Sequence, residues 1–185
     1  MRDICDTDAA MYIGGSIRDG LKQGDILFSD CVNAFPFGND ILVVRLKGKY
    51  ILEVLEFGAR MLPEANNGLI HVSGMEYTVD LSVPSSVNTD SRGVFVSTEG
   101  PYRVRDVVIN GMPLDPEKDY TIATNAYLQE GGDGMSMMDH AEIVRYAQIA
   151  DYELFADYIE NGLGGIVPES YQKPGERMKV IAPQQ

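Results

Sequence analysis

Between residues 41 and 62 the apolar residues change period, and that change restricts the fold more than any other stretch. Ile41 to Leu46 is an apolar, largely β-branched run that reads as a buried strand. Lys49 to Leu62 then repeats apolar residues at 51, 52, 54, 55, 59 and 62, one broad helical face that Pro63 closes. Elsewhere the two periods alternate irregularly. Ala9 to Ile13 is a short strand running into Gly14-Gly15, and Asp25 to Ala34 has helical spacing that Pro36 stops. His71 to Val83 reads as strand interrupted at Gly74, and Arg103 to Ile109 and Tyr120 to Asn125 as two more strands. Asn110-Gly111 between these two is the pair a type I′ turn prefers, since both central residues need positive φ. Asp151 to Asn161 places Leu154, Phe155, Tyr158 and Ile159 on one helical face ended by Gly162, and Met178 to Ile181 is a last strand. Pro84 to Gly93 is the longest polar stretch and reads as a surface loop. The expected class is α+β, with a mixed β-sheet flanked by helices.

Composition narrows the function classes. A chain of 185 residues with 44% apolar side chains suits one domain over residues 1–185. Its 28 acidic and 15 basic residues leave a net charge of −13, without the lysine and arginine surplus that binds nucleic acid. No apolar run approaches the ~20 residues that span a bilayer. The only cysteines, Cys5 and Cys31, make neither a disulfide framework nor a zinc site, and their pairing is open. His71 and His140 stand outside any ligand motif, which argues against a metal centre built by this chain. The first dozen residues, MRDICDTDAAMY, lack the cationic start and apolar run of an export signal, so Met1 is either a true start or a boundary within a longer protein.

Three segments depart from the grammar of core and loop. In Ile13-Gly14-Gly15-Ser16-Ile17-Arg18, two glycines allow close backbone approach, and the arginine carries a planar fork suited to phosphate or carboxylate. Phe35-Pro36-Phe37-Gly38-Asn39-Asp40 offers an aromatic ring on a stiffened turn with an amide beside it, or else a phenylalanine pair capping the core. In Asn125 to Gly134, three glycines surround Asp133 in a tight loop without a helix of its own, six residues after Tyr127. That carboxylate can accept from sugar hydroxyls, or simply belong to an Asp-Gly turn. The Met135, Met137 and Met138 cluster reads as packing. Two rings, an arginine and a carboxylate outline a planar base with a polyhydroxy, phosphorylated tail.

At these segments the sequence resembles the C-terminal domain of the 5′-nucleotidase family. The resemblance runs through IGGSIRDGLKQGDILFSD, NAFPFGNDILVVRLKGKYILEVLEFG, HVSGMEYTVD and VVINGMPLDPEKDYTIATNAYLQEGGDG. It implies a mixed-sheet domain that recognises the nucleoside of a nucleotide. A separate N-terminal metallophosphatase domain, which holds two divalent metal ions, would perform the hydrolysis. By position, Phe37 and Tyr127 match the two rings that clamp the base, tyrosine standing where the family often has phenylalanine. Asn39 matches the asparagine near the base, Gly74 the glycine of the SG block lining the pocket, Asp133 the ribose-binding carboxylate, and Arg18 the arginine that contacts the anionic part. Ile13 occupies the position of the usual asparagine in that arginine's block, which removes one hydrogen-bonding group.

The expectation is therefore a substrate-recognition domain of a longer hydrolase, with no catalytic, cofactor or metal residues of its own. Its partners would be a nucleotide or nucleoside and the metallophosphatase domain, with no nucleic acid and no membrane contact. The isolated chain would be inactive, and the parent, by family resemblance, periplasmic, secreted or surface-attached. A stand-alone nucleoside-binding module and a structural domain with a decayed pocket are the alternatives.

Overall fold

The computed structural model describes residues 1–173 and 175–183. All five side chains of β1 (Ala9–Ile13) are buried, as are most of those of β2 (Asp40–Lys47). Their apolar runs are continuous because both faces of the sheet are covered. Ala9, Met11, Ile13, Leu42, Val44 and Leu46 enter the larger core, whereas Ala10, Tyr12, Ile41 and Val43 enter a smaller one on the opposite face. The period of two thus sorts neighbouring residues into different cores.

The remaining strands are β3 (Ile70–Ser73), β4 (Met75–Asp80), β5 (Val87–Thr89), β6 (Phe95–Thr98), β7 (Val104–Ile109), β8 (Met112–Pro113), β9 (Asp119–Asn125), β10 (Glu142–Ala150) and β11 (Met178–Ile181). The helices are α1 (Arg2–Cys5), α2 (Phe28–Ala34), α3 (Gly48–Ala59), α4 (Ala126–Gln129) and α5 (Asp151–Asp157). A five-stranded mixed sheet has the order β10-β2-β9-β1-β3, a four-stranded one β11-β4-β7-β8, and β5-β6 form a ribbon. In the larger sheet only β1 and β9 are parallel, with Ala9 opposite Ile122. The expected class holds, with the strands divided between two mixed sheets and a ribbon.

Helix α3 joins the two sheets, and eight of its twelve residues are buried. It leaves β2 at Gly48, where a Cβ would stand 2.1 Å from the Asp115 carbonyl oxygen, so only glycine fits. Buried Glu56 accepts from the backbone N–H groups of Arg103 (3.2 Å) and Val104 (2.8 Å), fastening the helix to β7. The Arg103 guanidinium donates to the carbonyls of Ala59, Arg60 and Leu62 around the end of α3 and to that of Val83, tying the two segments together. Helices α2 and α5 cover the smaller core, where Phe35 meets Tyr12 and Phe155 edge to face.

Several boundaries differ from the sequence reading. Helix α2 begins at Phe28 rather than Asp25, because the Asp30 carboxylate accepts the Leu27 N–H (2.8 Å) and fixes the start there. The polar stretch 84–93 contains β5, whose half-exposed to exposed residues give no apolar signal. Asn110 and Gly111 both have positive φ (51° and 77°), but the turn joins β7 to the two-residue β8 rather than directly to β9. The glycine loop folds a 3₁₀ turn at Gly132–Gly134, where open loop is expected. Cys5 and Cys31 are both buried and free.

Candidate functional site

Strand direction determines which of the expected residues meet. The C-terminal end of β1, the C-terminal end of β9 and the N-terminal end of β2 lie side by side, with Ile41 opposite Asn125. The three segments singled out in the sequence leave or enter the sheet at this one end. Phe37 stands four residues before Ile41 and is 60% exposed, and Tyr127, two residues after Asn125, is 41% exposed. Exposure alone does not single these rings out, since Phe28, Tyr146 and Tyr171 are as open to solvent; what sets Phe37 and Tyr127 apart is that they stand at neighbouring strand ends.

Each ring is held from behind. Asn125, the N-cap of α4, accepts the Leu128 N–H at 3.0 Å and so starts the turn that carries Tyr127. The Tyr127 hydroxyl donates to Asp133 Oδ1 at 2.7 Å and accepts from the Asp133 N–H at 3.2 Å. That hydrogen bond to a carboxylate, helped by burial, raises the Tyr127 pKa. The ring lies flat enough on Gly132 that a Cβ there would stand 2.4 Å from it, which explains why glycine precedes the aspartate. On the other loop, the Arg18 guanidinium sits 6.0 Å from the centre of the Phe37 ring. Its chain is anchored where the Arg18 N–H donates to the Ala34 carbonyl (2.9 Å) and its side chain to that of Gly15 (3.2 Å).

Asn39 belongs to the same end but is tied inward. Its amide Nδ2 and its backbone N–H both donate to Asp151 Oδ2 at 3.2 Å. Arg18, Phe37, Asn39, Tyr127 and Asp133 are therefore brought to one edge of the sheet. Gly74 is not. It connects β3 and β4 beside Asp8, at the opposite end, because β3 runs antiparallel to β1 with Ser73 opposite Ala10. There it lines a separate cleft of about 340 Å³ with Arg2, Asn110 and Arg177. Ile13 is fully buried in the larger core, so this position contributes packing and no polar group.

Two residues that the sequence reading passed over lie at the site end. The Gly14 and Gly15 N–H groups donate to the carbonyls of Leu69 (2.8 Å) and Asn67 (2.7 Å), which draws the loop before β3 against the glycine turn. Gly68 of this loop faces Arg60, whose Nη1 would be 3.5 Å from a Cβ there. Arg60 lies 3.7 Å above the Phe57 ring, and burial lowers its pKa while the Asp133 charge raises it. Neither carried a motif: Arg60 reads as the end of a helix, and Gly68 as one more loop glycine. Among the described residues no group of three or more His, Cys, Asp or Glu stands together to hold a metal ion.

The profile of the family described as "5′-nucleotidase, C-terminal domain" matches residues 1–140. The chain belongs to that family. Among its relatives are the trifunctional nucleotide phosphoesterase protein YfkN of Bacillus subtilis, 32% identical over 82% of this chain and 10% of that protein, and protein UshA of Escherichia coli, 28% identical over 85% and 25%. The chain thus spans between a tenth and a quarter of the length of these relatives. The 5′-nucleotidase precursor of Thermus thermophilus superposes with a TM-score of 0.80 at 28% identity, covering 97% of this chain and 32% of that one. The NAD nucleotidase of Haemophilus influenzae shares the fold at 20% identity, with a TM-score of 0.71 over 98% of this chain and 33% of that one.

Proposed function

We propose that this domain of the 5′-nucleotidase family recognises the nucleoside part of a nucleotide for a metal-dependent phosphohydrolase such as a 5′-nucleotidase. The observation that carries the reading is the pair of exposed rings, Phe37 and Tyr127, at neighbouring strand ends with Arg18 and Asp133 beside them. Stacking of a base on an aromatic ring contributes about 1–3 kcal/mol and tolerates any base, because every base has a π-face. Asp133 accepts from the ribose hydroxyls, taking them in place of the Tyr127 hydroxyl it now holds. Arg18 faces the anionic end with its fork of donors. The domain supplies position: it holds the nucleoside so that the phosphate is fixed relative to the attacking water.

The hydrolytic step belongs to an N-terminal metallophosphatase domain, whose two divalent ions would activate that water and offset charge on the phosphate. The exposed rings make this edge an open half-site that such a domain would close. Adenosine and AMP titrated against the chain test the reading by ligand-observed NMR. Millimolar binding that Phe37→Ala and Tyr127→Ala each abolish is the expected outcome. Binding that survives both substitutions would refute the clamp. The chain alone is expected to leave AMP intact whichever divalent metal is added, and metal-stimulated phosphate release by pure material would contradict the division of labour. A stand-alone nucleoside-binding module would give the same titration, and the length of the native gene product separates the two.

A further inference from the structure

The loop that carries Phe37 rests on the start of α5, which lies beyond the residues matched by the family profile. Asp151, the first residue of that helix, is 4% exposed, yet its carboxylate has no cationic partner within ion-pair distance among the described residues. It is satisfied entirely by neutral donors. Oδ2 accepts from the Tyr12 hydroxyl (2.7 Å), the Asn39 N–H and Asn39 Nδ2 (3.2 Å each), while Oδ1 accepts from the Tyr152 N–H (2.9 Å). The Asp151 N–H donates back to the Asn39 carbonyl at 3.0 Å. Burial, reinforced by this carboxylate, holds the Tyr12 phenol far above its ordinary pKa, so it remains a donor.

This arrangement removes an ambiguity inherent in asparagine. A side-chain amide presents oxygen and nitrogen almost isosterically, and only its partners decide which faces where. Asp151 Oδ2 serves as an acceptor to the Tyr12 hydroxyl and the Asn39 N–H, and the end of the Asn39 amide that faces it is the donor Nδ2. Oδ1 is left as the outward end, and no described hydrogen bond uses it. We propose that Asp151 is a positioning residue that fixes the Asn39 amide with Oδ1 presented to the base, so that the site favours bases carrying an exocyclic amine. The proposal rests on the nucleoside-binding reading and adds selectivity to it.

The test compares adenosine with purine riboside, which is adenosine without its 6-amino group, using the 185-residue chain. One hydrogen bond at a partly exposed edge predicts wild-type binding of adenosine about three- to tenfold tighter than of purine riboside. Asp151→Asn, which can accept or donate and so frees the amide to turn, should bring this ratio to about one while purine riboside affinity stays within about twofold. Tyr12→Phe removes another donor from the same carboxylate but keeps the contact to Asn39, so the ratio should persist. Should Asp151→Asn fail to fold, Asn39→Ala must abolish the ratio in its place. Equal binding of the two nucleosides by wild type would overturn the role of Asp151 and leave the base clamp standing. Loss of the ratio in Tyr12→Phe would also overturn it, because any loosening of the cluster would then suffice. Absence of binding by either nucleoside would refute the nucleoside reading and this proposal with it.

Discussion

Phe37 and Tyr127 occupy positions that core packing does not explain, and their substitution should separate binding from stability. Phe37 is mostly exposed, so Phe37→Ala should change the melting temperature little while removing about 1–3 kcal/mol of stacking. Tyr127→Phe discriminates further. It keeps the ring and loses only the hydroxyl's two bonds to Asp133 (2.7 and 3.2 Å), so adenosine affinity should change less than about threefold, whereas Tyr127→Ala should abolish measurable binding. Gly132→Ala attacks the same ring from behind, since its Cβ would stand 2.4 Å from the aromatic carbons. It should cost binding by displacing Tyr127, which titration alongside thermal unfolding would reveal as lost affinity in a folded protein. The loops that carry these side chains stand out in the sequence because rings, glycines and a carboxylate lie close together there, while the choice between a binding role and a plain turn rests on the family resemblance. The inward tie of Asn39 to Asp151 does not stand out, because it joins residues 112 positions apart that only the fold brings together.

At the scale of elements, buried strands announced themselves and exposed ones did not. β1 and β2 have apolar runs because both faces are covered, whereas β10 is an edge strand whose first five residues are exposed, and its register slips between Ile143 and Arg145 and again between Tyr146 and Ala150. No period of two survives such slips. Gly74, grouped with the other site residues by its match to the family's SG block, lies at the opposite end: the motif marks a break between strands but carries no strand direction, and the antiparallel run of β3 puts Gly68 at the site end. The join between α3 and β7 gives a prediction at this scale. Glu56→Gln keeps the shape but sets an amide nitrogen against one of two backbone donors, so it should destabilise the fold by about 1–3 kcal/mol. Burial raises the Glu56 pKa above its usual 4.5, against the pull of the Val104 and Arg103 N–H groups and the Arg103 charge. A carboxyl that binds its proton more tightly when folded stabilises most at pH below 4.5 and loses that contribution as pH rises through the folded value. Urea unfolding at several pH values should show this downward component in wild type and its absence in Glu56→Gln.

For the molecule as a whole, a net charge of −13 repels itself, so added salt should raise the melting temperature by screening. A fall in melting temperature on going from low to moderate sodium chloride would mean that local ion pairs outweigh the overall repulsion. The larger sheet has two ends of different character. One gathers the exposed rings, Arg18 and Asp133, and the other holds Gly74 in the cleft with Arg2 and Arg177. The central claim is that nucleoside binds at the first. Mapping backbone amide shifts while adenosine is added tests that claim most directly. The expected changes fall on Gly14 to Arg18, Phe37 to Asn39, Gly68 and Tyr127 to Gly134, with Gly74, Asn110 and Arg177 unmoved. Shifts centred on Gly74 and Arg177 instead would place the ligand at the wrong end of the sheet and contradict the account.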